Sequence, residues 1–237
     1  MRILLLGYGK MGKTIESLAL NAGHTIAGKI EETNKDSLNH YNKSDVDVAI
    51  EFSQPDAAFE NIHYCLDNGI PIVSGTTGWL HKKQELDEMC LAKDGTFFYA
   101  SNFSIGVNLF FELNRKLAHL MNDHNEYDIS MEEIHHTEKK DEPSGTAITL
   151  AEGIIQEHQA TKGWVLGKED SNQLPIYSKR EGKVPGTHII TYSSKVDNIE
   201  IKHTALSREG FGLGALKVAE WVVNKKGTLG MKDFLKF

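Results

Sequence analysis

Cysteine is nearly absent from this chain: there are 2 in 237 residues, Cys65 and Cys90, both in segments of helical patterning and without the paired spacing of a metal site. Their scarcity excludes a disulfide framework and leaves two reduced, partly buried thiols as the expectation. Long hydrophobic runs are missing too. The opening run Arg2-Ile3-Leu4-Leu5-Leu6 is broken at once by Gly7 and Gly9, too short for a signal sequence or a membrane span, so a cytoplasmic protein with no membrane partner is expected. Positive charge is outweighed, with 26 Lys and Arg against 33 Asp and Glu and a net charge of −7, which argues against nucleic acid as a partner. No low-complexity tract or internal repeat is visible. A hydrophobic content of 40% is enough for one large or two small domains with normal cores.

What is present begins at residue 2. The apolar run reads as a buried strand, followed by the turn Gly7-Tyr8-Gly9-Lys10-Met11-Gly12 and an amphipathic segment to about Asn21. Strand, glycine turn and helix in this order make a dinucleotide site: one glycine permits the tight turn, the next lets backbone approach a pyrophosphate, and the third lets helix pack on strand. A second strand-like run, Thr25–Ile30, ends in Glu31-Glu32, where an acidic group hydrogen-bonds ribose hydroxyls. Two glutamates repel a 2′-phosphate and Lys29 and Lys35 offset them only partly, so NADH is favoured over NADPH.

Strands and helices then alternate: strand Val46–Ile50, helix Pro55–Leu66, strand Ile70–Val73, helix Leu80–Leu91, strand Thr96–Ala100. That order predicts an α/β domain with a Rossmann-like, doubly wound parallel sheet. Ligands sit at the carboxyl ends of such strands, and those ends carry Glu51-Phe52-Ser53, Gly75-Thr76-Thr77-Gly78 and Ser101-Asn102-Phe103. Three small or polar turns at equivalent ends suggest a cofactor-lined cleft.

The densest chemistry lies in Glu133-Ile134-His135-His136-Thr137-Glu138-Lys139-Lys140-Asp141-Glu142-Pro143-Ser144-Gly145-Thr146-Ala147. Apolar residues at Ile129, Met131 and Ile134 suggest a strand running into His135 and His136, whose side chains then point to opposite faces. The two imidazoles therefore cannot chelate one metal, no metal site is expected, and they should do different jobs. Lys139 is near enough to pair with an imidazole for acid/base work, whereas Lys140 faces solvent. Ser144-Gly145-Thr146 opens a helical pattern whose unpaired N–H groups suit a carboxylate or phosphate. The segment looks built for a small anionic substrate.

Beyond Phe103 the chain reads as a long helix from Ile105 to about Asn122, the histidine strand, the Ser144 helix, a polar stretch from Gly167 to Gly186, strands His188–Ser193 and Ile199–Ala205, and a helix over Leu213–Val223. This predicts a dinucleotide-binding domain, 1–102 with 208–237, and an α+β domain, 103–207, for substrate binding and oligomerisation. Lys179, Arg180 and Lys183 are candidates to reach substrate carboxylates, although a solvated charge run is the commoner explanation for such a loop.

Taken together, the chain resembles the 4-hydroxy-tetrahydrodipicolinate reductase (dihydrodipicolinate reductase) family of diaminopimelate and lysine biosynthesis. The resemblance spans essentially the whole chain: the glycine turn, Gly75 to Gly78, Ala100 to Asn108, His135-His136 through Ser144-Gly145-Thr146, Arg180-Glu181-Gly182, Pro185 to His188, and His203 to Ala215. It implies NAD(P)H-dependent reduction of 4-hydroxy-tetrahydrodipicolinate, a small dicarboxylate, with loss of water. It implies His135 as proton donor or acceptor, Lys139 as proton donor, and His136, Ser144, Gly145 and Thr146 as substrate contacts. Gly7, Tyr8, Gly9, Lys10, Met11, Gly12, Glu31, Gly75, Thr76, Thr77, Ala100, Ser101, Asn102 and Phe103 would hold the cofactor. It further implies a homotetramer whose domains close about hinges near residues 102 and 207. Two departures stand out. The glycine turn is one residue shorter than the family's usual form, and Glu32 stands where some members carry an arginine. A nicotinamide oxidoreductase acting on another small anion, or a cofactor sensor without activity, are the rival readings.

Overall fold

The computed structural model describes residues 1–168, 172–207 and 209–237. Glu169, Asp170 and Ser171 of the polar stretch, and Arg208, the first residue of the segment expected to return to the dinucleotide-binding domain, lie outside the described residues. The chain divides into two compact units, Met1–Ile105 with Glu209–Phe237, and Gly106–Arg208.

The first unit runs β1 Arg2–Leu6, α1 Lys10–Asn21, β2 Thr25–Ile30, β3 Val48–Glu51, α2 Pro55–Asp67, β4 Ile72–Ser74, α3 Lys83–Ala92 and β5 Thr96–Tyr99. The second holds α4 Ile105–Met121, β6 Asp128–His135, α5 Gly145–Glu157, β7 Gly163–Leu166, β8 Gln173–Arg180, β9 Thr187–Ser193 and β10 Asn198–Thr204. The chain then adds α6 Glu209–Val222, β11 Gly227–Leu229 and α7 Met231–Leu235 to the first unit.

In the first unit the strand order is β11-β5-β4-β3-β1-β2, with every pairing parallel. Successive strand residues face opposite ways, which explains the unbroken apolar run of β1. Ile3 and Leu5 enter one core with Ile15 of α1 and Val218 and Val222 of α6. Leu4 and Leu6 enter the other with Ile62 of α2 and Leu86 of α3. Pro55 opens α2, where its fixed φ suits the first helical turn and its missing N–H costs nothing. This is the Rossmann-like, doubly wound sheet expected from the alternation.

The second unit is a five-stranded mixed sheet, β10-β9-β6-β8-β7. Central β6 pairs parallel with β8 and antiparallel with β9. One face packs on α4 and α5 through Phe110, Ala118, Leu150 and Ile154 against Met131, Ile176 and Ile190. Strand β8 lies inside the stretch that reads as polar loop, because its apolar content is confined to Leu174-Pro175-Ile176-Tyr177 between polar flanks.

Candidate active site

In the first unit, β1 delivers the chain into the glycine turn. Gly7 has φ +92°, and a Cβ there would stand 2.2 Å from the Phe52 carbonyl oxygen, so only glycine fits. A Cβ on Gly12 would stand 2.3 Å from the Gly7 carbonyl oxygen, whereas one on Gly9 would meet nothing within 4 Å. Two glycines thus serve packing. Gly9, the N-cap of α1, leaves open space in front of the helix N-terminus, whose first N–H groups have no intrahelical partner.

Gly7, Tyr8, Gly9, Glu31, Glu32 and Lys35 line one cleft of about 830 Å³ at the carboxyl ends of β1, β2 and β3. Lys29 is engaged elsewhere: it pairs with Glu16 at 3.0 Å and sits 4.6 Å over the Tyr8 ring. Lys10 is exposed at the start of α1, and Met11 is partly buried against the core.

The ends of β3 and β4 are tied by Glu51, which is fully buried. Its carboxylate accepts hydrogen bonds from Ser53 N (2.9 Å), Ser53 Oγ (2.5 Å), Ser74 Oγ (2.5 Å) and Thr76 Oγ1 (2.8 Å). Buried charge is tolerated only when satisfied in this way. Gly75 is required because a Cβ would stand 2.2 Å from the Phe52 ring. Thr76 is buried and Thr77 exposed. Ala100 is buried, Ser101 exposed, and Asn102 accepts from Ser104 N at 2.9 Å. Phe103, read from sequence as a cofactor residue, has its ring buried against Phe52 and Phe98, with centroids 5.4 and 5.9 Å apart. What Phe103 can offer a ligand is backbone.

In the second unit, Met131, Glu133 and His135 share the buried face of β6, each two residues from the next. Sheet register brings their partners: Glu133 lies opposite His188 of β9, and His135 opposite Arg180 of β8. Glu133 is fully buried; its Oε1 accepts from Ser144 N at 3.1 Å, Ser178 Oγ at 2.8 Å and the Arg180 guanidinium at 3.4 Å, and the Ser144 N–H also reaches Oε2 at 3.2 Å. Its Oε2 lies 3.4 Å from His135 Nδ1 and 3.7 Å from His188 Nε2. The two imidazoles meet edge-on with centroids 5.1 Å apart. His188 Nε2 is also 3.2 Å from Ser144 Oγ, and Ser144 caps α5 by accepting from Ala147 N at 3.2 Å.

These contacts set the electrostatics. Burial pushes the His135 imidazole down to about 4, with His188, Lys139 and Arg180 adding to the effect and Glu133 opposing it. Burial alone would raise the Glu133 carboxyl, but bonds from His188, Ser144 and Ser178 and the neighbouring His135 hold it well below the usual carboxylate range. Glu133, His135 and His188 present donor atoms within 4.8 Å of one another, a spacing a metal ion can use. Glu133 is already bound by an amide, a hydroxyl and a guanidinium, and the last places positive charge beside the carboxylate. The donor set reads as a hydrogen-bonded proton network.

The remaining predicted residues surround it. Lys139, which sequence reasoning paired with an imidazole, puts Nζ 2.7 Å from the Asp141 carboxylate instead, lowering the Asp141 carboxyl, while Lys140 is exposed. His136 follows the strand and is half-buried. Gly145 is exposed at the start of α5, where an added Cβ meets nothing within 4 Å, and Thr146 is half-buried.

Comparison with known proteins identifies this arrangement. A family model described as the dihydrodipicolinate reductase C-terminus matches residues 106–235, and one for its N-terminus matches residues 1–103. A 4-hydroxy-tetrahydrodipicolinate reductase from Christiangramia forsetii is 52% identical over 236 residues, 99% of this chain and 98% of that protein. One from Thermosipho africanus is 37% identical over 238 residues, 100% of this chain and 98% of that protein. The chain belongs to the dihydrodipicolinate reductase family. A dipicolinate-bound member from Paenisporosarcina sp. TG-14 shares the fold with a TM-score of 0.78 at 21% identity, covering 99% of each chain.

Against that family frame, sequence reasoning passed over Glu133, Ser178 and His188 and set Arg180 aside as part of a solvated run. The side chain of Arg180 is 18% exposed and its Nη2 donates to the Asp141 carbonyl at 2.7 Å. One signal was available: Glu133 stands two residues before His135 on a strand, which puts both on one face. The others needed the register of three strands.

Proposed function

We infer that this chain catalyses NAD(P)H-dependent reduction of 4-hydroxy-tetrahydrodipicolinate to tetrahydrodipicolinate with loss of water, in diaminopimelate and lysine biosynthesis. The observation that carries the reading is the buried His135 joined, through Glu133 and Ser144, to the N-terminus of α5 with open space at Gly145. A proton carrier and an anion cradle are thereby held on one rigid frame.

The cofactor supplies hydride when bound. The residues that would hold it are Gly7 to Gly12, with Gly9 open before the α1 N-terminus for a pyrophosphate, Glu31 for ribose hydroxyls, and the ends of β4 and β5 at Gly75 to Thr77 and Ala100 to Phe103. Glu31 and Glu32 together in the cleft favour NADH over NADPH, because both repel a 2′-phosphate. In the second unit the α5 N-terminus at Ser144, Gly145 and Thr146, with His136, would receive substrate carboxylate. The Paenisporosarcina protein is described with dipicolinate bound, a planar dicarboxylate of the size such a cradle suits. His135 moves a proton at the substrate ring, and Lys139 is a second donor once it leaves Asp141. A dianion arriving beside His135 raises its proton affinity from the depressed value of the free protein.

A homotetramer is the assembly we propose. Both helices of the second unit cover one face of its sheet, and the other face carries half-buried Ile134, Tyr177, Ile189 and Thr191, a surface a second copy would complete. No helix among the described residues is long and apolar enough to cross a membrane, and cytoplasmic residence is proposed with the activity.

The test supplies substrate in place: a 4-hydroxy-tetrahydrodipicolinate synthase is given pyruvate and aspartate semialdehyde, and oxidation of NADH and of NADPH is followed separately. Synthase-dependent oxidation, faster with NADH, is expected. Cofactor binding without oxidation would overturn the assignment in favour of another substrate.

A further inference from the structure

The fully buried Glu133 carboxylate touches neither open space nor solvent, so it has no direct part in the chemistry above. We propose that Glu133 is the positioning residue that fixes the tautomer of His135, holding its proton on Nδ1 and turning Nε2 toward the substrate. The proposal rests on the reading of His135 as proton carrier and on three observations.

First, His135 Nδ1 is buried and makes no hydrogen bond to any described residue in the free protein, while Glu133 Oε2 lies 3.4 Å from it. Such distances tighten when a site fills. Second, the two carboxylate oxygens are divided. Oε1 takes the Ser178 hydroxyl and the Arg180 guanidinium, the Ser144 amide is shared between both oxygens at 3.1 and 3.2 Å, and both imidazoles lie on the Oε2 side. Third, glycine is used beside the opposite edge of the ring: a Cβ at Gly186 would stand 3.1 Å from His135 Nε2 and 3.3 Å from Cδ2, so a larger residue there would crowd that nitrogen.

The proton balance follows. Neutral His135 carries its proton on Nδ1 and accepts a second at Nε2. The imidazolium, faced by Glu133 on its own strand, Arg180 on β8, His188 on β9 and Lys139 in the following loop, then gives the Nε2 proton to the substrate and returns to the Nδ1–H form. Glu133 remains ionised throughout.

Glu133→Gln separates charge from shape. Its carbonyl oxygen is claimed by the Ser178 hydroxyl and the Arg180 guanidinium at the Oε1 position, which places the amide NH₂ against His135 Nδ1. A donor there demands a bare Nδ1 and so forces the Nε2–H tautomer.

The experiment has an arm that needs no variant and no turnover. Nitrogen NMR of the imidazoles in the wild-type protein at neutral pH is expected to find His135 as the Nδ1–H tautomer, and in Glu133→Gln as Nε2–H. In the synthase-coupled assay Glu133→Gln is expected to lose on the order of 100-fold in kcat, to keep cofactor affinity within a few-fold, and to move the basic limb of its kcat profile to lower pH. Glu133→Asp, which keeps the charge, should recover part of the kcat. An Nε2–H tautomer in the wild type would overturn the proposal, and so would unchanged kcat and pH profile in a folded Glu133→Gln. Absence of turnover in the wild type would instead remove the reaction assignment, and the tautomer result would stand apart from it.

Discussion

Among the described residues two carboxylates are buried, Glu51 at the end of β3 and Glu133 two residues before the end of β6, and they are held by opposite means. Glu51 is surrounded by one backbone amide and three hydroxyls, none of which changes charge near neutral pH. Glu133 is surrounded by two imidazoles and a guanidinium besides its amide and hydroxyl. The first arrangement is suited to pinning loops, since Ser53 and Thr76 belong to turns that would line the cofactor cleft. The second couples a fixed charge to groups that gain and lose protons, which is what proton transfer requires. Burial of a carboxylate therefore does not report its role; the chemistry of its partners does.

The comparison is broken most severely at the proton carrier. Replacing His135 by Ala is expected to lower kcat by roughly 10²- to 10⁴-fold, with cofactor affinity measured by fluorescence titration unchanged within a few-fold. No corresponding loss of kcat is expected around Glu51. There, Glu51→Leu strands the Ser53, Ser74 and Thr76 donors in the core and should cost on the order of 3 kcal/mol of stability, read by denaturant unfolding. Glu51→Gln should cost less and weaken cofactor binding while kcat at saturation stays near the wild-type value.

Acid sharpens the contrast further. The folded-state pKa of His135 is depressed to about 4, so the unfolded chain binds the extra proton first and stability falls as pH drops from about 6.5 toward 4. Glu133, also depressed, adds a loss that begins only below its unfolded value of about 4.3. The free energy of unfolding should therefore decline between pH 7 and 4 in the wild type, and the decline should be smaller in His135→Gln by up to about 3 kcal/mol, read by denaturant unfolding at each pH. An equal slope in both proteins would remove His135 as its source. The smallest effect is expected at Gly145→Val: the space there is open, so the fold should be intact and the apparent substrate KM should rise about 10-fold, near 1.4 kcal/mol. Unchanged substrate kinetics would withdraw the anion cradle.

Much of the first unit was legible because its signals are local. The run Arg2–Leu6, the glycine turn and the Pro55 helix start each announce themselves within a few residues, and a parallel sheet leaves little choice of order once strands and helices alternate. Glu51 was visible only as the residue before a turn, since its partners Ser74 and Thr76 come from the next strand's end. In the second unit His135 stood out by composition, but its setting did not. Ser178, Arg180 and His188 reach Glu133 from positions 45 to 55 residues away along the chain, and β8 hides among polar flanks. A local motif also left side-chain roles open: Phe103 sits in a stretch matching the family's cofactor pattern, and its ring is buried in the core, which leaves its backbone to face a ligand. Short β11, three residues long, has too little pattern to read.

The most direct test of the account runs wild type and His135→Ala side by side in the synthase-coupled assay, with NADH affinity measured on both. The expected result is synthase-dependent NADH oxidation by the wild type, nearly abolished in a variant that still binds NADH. Equal turnover by the two proteins would contradict the assignment of His135, and with it the distinction drawn between the two buried carboxylates.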